Sequence, residues 1–164
     1  MDIVINRLDT LGDGSDELDR ETLLTINHHV FAGRDHPLRT KGSLEVGDLH
    51  VYPWITFRNS IEARTAVDGL FENAAFPPPK PAVVTNSYQT CLNLLRSGPY
   101  LMVLPSTLAQ TAFDQGVELL SLKADLGSFP AGLMYRPSAT RLAYFNRFRD
   151  EIRRVVSERD VTGQ

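Results

Sequence analysis

Cysteine is nearly absent: Cys91 is the single one in 164 residues. That excludes an intrachain disulfide framework and a cysteine-rich zinc site. No apolar run approaches the ~18 residues that a membrane-spanning helix needs. The segment after Met1, Asp2-Ile3-Val4-Ile5, leads into an acidic stretch and lacks the basic start and long apolar core of a secretory signal. An excess of positive charge is missing too. The net charge is −3 and the isoelectric point near 5.8, which argues against a chain that grips nucleic acid by itself. No G-x-S-x-G nucleophile motif and no phosphate-binding loop occurs, so no catalytic constellation presents itself. These absences lead us to expect a cytoplasmic protein that contacts no membrane and is not an enzyme.

What is present is an ordinary globular balance, 42% hydrophobic and 23% charged, long enough for one domain or two small lobes. Residues 2–5 read as a short buried strand, and Leu8 to Glu21, with six carboxylates and two glycines, as a solvated loop. Leu23 to Ala32 reads as an extended segment that ends at Gly33-Arg34-Asp35-His36-Pro37. Thereafter strands and helices alternate. Trp54-Ile55-Thr56-Phe57 is a strand, followed by a helix with Asn59 as its cap and Glu62 closing a capping box. Pro77-Pro78-Pro79 ends that helix. Ala82-Val83-Val84 runs into a second capping pair, Asn86-Ser87, and a helix whose apolar face carries Tyr88, Cys91, Leu92 and Leu95 and which Gly98 ends. Leu101–Leu104 is a buried strand, Pro105-Ser106 opens a helix to about Asp114, and 117–122 returns as a strand. This alternation predicts an α/β sheet with mostly parallel strands. After an interruption at 123–130, Leu133-Met134-Tyr135 is a strand. Ser138 then caps a final helix with Leu142, Phe145, Phe148, Ile152, Val155 and Val156 inward and Arg147, Arg149, Arg153 and Arg154 outward.

Metal chemistry finds little support. Asp9, Asp13 and Gly14 match three positions of a calcium loop, but Leu11 and Arg20 stand where ligands are required. His28 and His29 point to opposite faces of a strand, and His36 precedes a proline at a turn. Cys91 on an apolar helix face behaves as a small hydrophobe. The helix starts are more informative. Arg58-Asn59-Ser60 and Asn86-Ser87 lie where strands hand over to helices, the place where open α/β sheets bind ligands. Free N–H groups and the helix dipole favour an anion there. Capping alone explains the same residues, and from the sequence by itself it is the stronger reading.

Taken in order, the segments resemble the C-terminal two-thirds of the effector domain of LysR-type bacterial transcriptional regulators. Val30-Phe31-Ala32-Gly33-Arg34-Asp35-His36-Pro37-Leu38 is similar to the family's strand ending in "DHPL", and Asp48-Leu49 with Pro53-Trp54-Ile55 to its "DL…PW(I/V)". Phe71 to Pro79 resembles "F…AG(F/L)PPP" with Ala75 in place of glycine. Thr85-Asn86-Ser87 through Leu104-Pro105 is similar to "T(D/N)S…LV(A)AG.G(V)ALLP", with Pro99-Tyr100 replacing a small residue and Gly. Asp2-Ile3-Val4-Ile5 is like the strand that closes the first subdomain.

The resemblance implies an α/β fold of the type 2 periplasmic-binding-protein kind, with one complete α/β subdomain and a partial second one. Residues 1–7 and 130–158 would be a remnant of effector subdomain I, 24–125 effector subdomain II, and 159–164 a tail. Hinge crossings would lie near Arg7 to Arg20 and Ala124 to Pro130. The implied function is small-molecule effector sensing in a DNA-binding regulator whose helix-turn-helix is absent from this chain. DNA would then be contacted only through that absent part. The alternative is a solute-binding transport protein of the same fold. The implied ligand-binding residues are Arg58, Asn59, Ser60, Asn86, Ser87 and Phe129, for a small and anionic effector without cofactor or metal. Self-association would use residues 60–74 and 82–86.

Overall fold

The computed structural model describes residues 3–9 and 17–162, with side chains as far as Glu158. The chain divides into two compact units, residues 27–127 and the pair of segments 1–26 with 128–164.

In the 27–127 unit the sheet order is β6-β2-β5-β3-β4, made of Val117–Leu119, the later part of Asp19–Gly33, Leu101–Pro105, Trp54–Phe57 and Pro81–Thr85. The pairs β3–β4 and β3–β5 are parallel, as the alternation of strand and helix requires. Strand β2 runs against its neighbours β5 and β6, so the sheet is mixed, with one reversed strand among four that run together. Period-two alternation distributes β2 between two cores. Val30 and Ala32 point into a cluster with Leu101, Val103, Trp54 and the inner face of helix α2 (Ile61–Asn73). Phe31 points into the other, with Met102, Leu104 and the inner face of helix α3 (Tyr88–Ser97). Gly33 is required where β2 passes α3, since a Cβ there would stand 2.2 Å from the Leu95 carbonyl oxygen. Cys91 is fully buried on that inner face, as its spacing predicts.

Short helix α1 (Val46–Leu49) closes the α2 side, its Asp48 carboxylate accepting from the Glu45 N–H at 3.0 Å and from Lys41 at 2.6 Å. Helix α4 (Ala109–Asp114) follows a single 3-10 turn, Ser106–Leu108, so the helix expected from Pro105-Ser106 is two pieces. His36 is buried and caps the turn Pro37–Thr40, its Nδ1 accepting from the Leu38 N–H at 3.1 Å. Burial lowers its pKa, partly opposed by the Pro99 carbonyl, although Nε2 closes no hydrogen bond of good geometry.

The other unit pairs β1 (Ile3–Arg7) antiparallel with β7 (Ser128–Tyr135), and the early part of β2 flanks β7. Its core is small: Leu133, Tyr135, Ala139 and Phe145, with Ile3 and Leu23 against them. The last helix, α5, starts at Ala143 and runs to Thr162. Ser138 does not cap it, because 137–141 form a 3-10 turn introduced by Pro137. Of the face expected inward, only Phe145 is buried; Leu142, Phe148 and Val155 are exposed by about two-fifths, since this small core offers too little surface to cover twenty helical residues. Two of the four arginines expected outward are in ion pairs, Arg153 with Glu21, and Arg154 with Glu151 and with Glu158 at 2.6 Å, while Arg149 is half-buried with its guanidinium 5.7 Å from the Phe145 ring centre. In the acidic stretch Leu8 is buried rather than solvated, and Asp9 is held by Arg7 at 2.7 Å, which lowers its pKa and makes it an ion-pair partner. Asp13 and Gly14, the other calcium-loop positions, lie outside the described residues.

Candidate functional site

Strands β3, β4 and β5 end together on one rim of the 27–127 unit, and the candidate residues follow those ends. The pairing Phe57↔Thr85 is continued by an N–H···O bond from Arg58 to Thr85 at 2.9 Å, so Arg58 and Asn86 leave the sheet side by side. Arg58, Asn59, Asn86 and Ser87 are exposed and Ser60 is half-buried. Five of the six candidate residues are thus brought to one edge by two adjacent strands. Among the described residues, no side chain pairs with the Arg58 guanidinium. An arginine with no carboxylate partner on a strand end can give its planar fork to a ligand carboxylate.

The two helix starts differ. Ser87 caps α3 in the ordinary way, its Oγ accepting from Thr90 at 3.2 Å, while its own N–H is taken by Thr85 Oγ1 at 3.1 Å. What remains for a ligand is the Ser87 hydroxyl hydrogen, the Asn86 amide, and the first-turn N–H groups that no helical carbonyl can reach. At α2 the expected capping box does not form. Arg58 is still tied to the β ladder, and a turn closed by Ser60 N–H on the Phe57 carbonyl at 3.3 Å delays the helix. Ser60 therefore becomes the cap position, without a side-chain cap bond, and Glu62 falls one place too early to close a box. Asn59 and Ser60 thus have side chains that capping does not use.

Beneath this edge Phe57 and Tyr88 stack at 6.5 Å with planes 25° apart, joining the ends of β3 and α3. The Tyr88 hydroxyl is buried without a hydrogen-bond partner, and its burial raises the phenol pKa. Sequence reading placed Tyr88 only on an apolar face; its ring obeys that and its hydroxyl does not. Phe129 is not among these residues. It lies in the other unit, buried on β7 beneath the Arg7 guanidinium, 4.1 Å from its ring centre. The Pro99-Tyr100 substitution stands before the start of β5, at the end of that strand away from Arg58, where Tyr100 packs beside α3. Among the described residues no group of three His, Cys, Asp or Glu is placed to hold a metal ion, and no helix is long and apolar enough to cross a membrane.

A mixed sheet with helices on both faces, in a chain that leaves and re-enters its first unit, is the fold of type 2 periplasmic-binding-protein-like domains. The chain belongs to the LysR substrate binding domain family, whose model matches residues 1–157. Solved structures of the same fold include a putative LysR family transcriptional regulator, the PA01 protein from Pseudomonas aeruginosa, at 18% identity and TM-score 0.74. That match covers 96% of this chain and 54% of the regulator, so the chain spans little more than half of that protein. The CcmR regulatory domain of Synechocystis PCC6803 in complex with 2-PG matches at 19% identity and TM-score 0.72, covering 94% of this chain and 72% of that one. The effector binding domain of QuiR in complex with shikimate matches at 17% identity and TM-score 0.71, covering 96% and 73%. No curated protein sequence matches the chain.

Proposed function

We propose that this chain is the effector-sensing part of a cytoplasmic LysR-type transcriptional regulator, and that it binds a small anionic molecule without transforming it. The observation that carries the reading is Arg58, exposed and without a side-chain partner among the described residues, beside helix starts whose Asn59, Ser60 and Asn86 side chains capping leaves available. Family membership supports it, as do the small molecules named with the CcmR and QuiR domains, 2-PG and shikimate. A solute-binding protein of a transport system would share the fold, but the three structural relatives described are all regulators or their ligand-binding domains.

In this reading Arg58 takes the carboxylate by charge-assisted bonds, and Asn59, Ser60, Asn86 and Ser87 fix its orientation. Binding biases the regulator between two states, and DNA is reached through a part this chain does not contain. Calorimetric titration with small carboxylates tests the site. Arg58→Ala is expected to lower affinity at least tenfold, the loss of one charge-assisted contact. Equal affinity in the variant contradicts the assignment.

Self-association is proposed through residues 60–74 and 82–86. Among the described residues strand β4 ends its sheet and has no partner on its outer edge, with Val84 47% exposed, and Ile61 on α2 is 76% exposed. Two-fold pairing of such an edge is the simplest closed solution. Sedimentation of the wild type against Val84→Lys reads it: a dimer that the lysine weakens is expected, and an ~18 kDa monomer at micromolar concentration contradicts it.

A further inference from the structure

Two hydrogen bonds at the strand ends converge on one residue that is not itself among the candidate ligand-binding groups. Thr85 is the last residue of β4 and is half-buried. Its carbonyl oxygen accepts from the Arg58 N–H at 2.9 Å, and its Oγ1 accepts from the Ser87 N–H at 3.1 Å. The first bond carries the parallel β3–β4 ladder one step past Phe57↔Thr85 and ties Arg58 to β4. The second closes a ring around Asn86, between the end of β4 and the cap of α3. Ser87 is then held from both sides, since its Oγ accepts from the Thr90 N–H at 3.2 Å. Exposed residues such as Asn86 and Ser87 would otherwise sample many conformations, and ordering them when a ligand arrives costs affinity. A bond made beforehand moves that cost into folding. The two bonds make different demands on the sequence. Any residue supplies the carbonyl that Arg58 uses, but the bond to Ser87 needs a hydroxyl at position 85.

We propose that Thr85 is a positioning residue of the effector site: its hydroxyl holds Asn86 and Ser87 in a fixed relation to Arg58, so that all three meet one small ligand together. This rests on the assignment of Arg58 to the effector site. Threonine suits both duties of the position, because its β-branch fits the strand it ends and its hydroxyl reaches the N–H two residues on. Valine keeps the first and lacks the second. Water can take the Ser87 N–H that valine frees, because Ser87 is exposed, so Thr85→Val should stay folded with a urea midpoint close to that of wild type.

The test is calorimetric titration of the whole chain with benzoate and with succinate. Thr85→Val is expected to weaken binding about three- to tenfold, the worth of one hydrogen bond. Thr85→Ser, which keeps the hydroxyl, should stay within about twofold of wild type. A double-mutant cycle separates positioning from a general loss of structure. In Asn86→Ala the clamped residue has already lost its amide, so adding Thr85→Val should cost clearly less than it does in the wild type. Amide hydrogen exchange of the free protein gives a second readout: Ser87 should exchange faster in Thr85→Val and at the wild-type rate in Thr85→Ser. Wild-type affinity in Thr85→Val, an equal loss in Thr85→Ser, or strictly additive losses in the cycle overturn the role of Thr85 while Arg58→Ala still weakens binding. Binding indifferent to Arg58→Ala, or absent for both acids, overturns the underlying site and this inference together.

Discussion

Ala75 is the one described residue other than glycine with a positive φ, +60°, and the motif it occupies makes the consequence calculable. Helix α2 ends at Asn73 in a complete Schellman arrangement: the Phe76 N–H reaches the Phe71 carbonyl at 2.9 Å, and the Ala75 N–H reaches Glu72 at 3.0 Å. The residue between must adopt the left-handed conformation, where an L side chain costs roughly 1–2 kcal/mol. Ala75 is exposed, so its methyl group returns little packing energy. Phe76 makes the stop worthwhile by laying its ring over Gly47 and beside His50, with ring centres 5.6 Å apart. Ala75→Gly removes the steric cost and adds about 0.4–1 kcal/mol of unfolded-state entropy, leaving a net stabilisation of about 0.5–1 kcal/mol. At this chain length that raises Tm by about 1–4 °C. Urea denaturation and a thermal melt on the whole chain measure it. Ala74→Gly is the control: Ala74 has φ −94° and needs no glycine, so that variant should lose stability. An Ala75→Gly protein equal to or less stable than wild type would refute the reasoning, because the left-handed turn would then be absent or costless.

Other outcomes follow from the same structure. The pKa of His36 lies below the 6.5 of an unfolded histidine, so its neutral ring contributes stability above that pH, lost as pH falls below 6.5 toward the folded value. His36→Asn, whose amide can still accept from Leu38, should show a smaller drop in urea midpoint between pH 7.5 and 5 than wild type; identical slopes would remove His36 from the account. Leu95→Ala, at a fully buried position between α3 and the sheet, should cost about 2–5 kcal/mol, read from the same denaturation curves, and a loss under 1 kcal/mol would argue against that packing. The arginines of α5 that pair with Glu21, Glu151 and Glu158 are compensated charges, so the chain should give no sequence-selective band shift at physiological salt, and a selective complex would contradict that.

The central block was legible because its signals are local. The apolar runs at 54–57 and 101–104, the triple proline and Gly98 each fix a boundary without reference to distant residues. The departures all come from contacts that sequence does not display. Asn59 failed as a cap because Thr85, twenty-six positions away, keeps Arg58 in the β ladder. The reversed direction of β2 depends on which neighbour it pairs with, not on its own alternation. The α5 stripe has helical periodicity whether or not anything packs on it, so Phe148 and Val155 were placed inward although the small core reaches only Phe145. The site divides the same way. Arg58 and Ser87 announce themselves at strand ends, whereas the stacking of Phe57 on Tyr88 beneath them joins two elements that no short motif brings together.

The most direct measurement is an amide NMR titration of the isotope-labelled chain with benzoate and succinate. The account predicts saturable shifts concentrated at residues 58–61 and 86–90, lost in Arg58→Ala. Shifts centred elsewhere, or the same shifts in Arg58→Ala, would contradict the claim that this rim is the effector site.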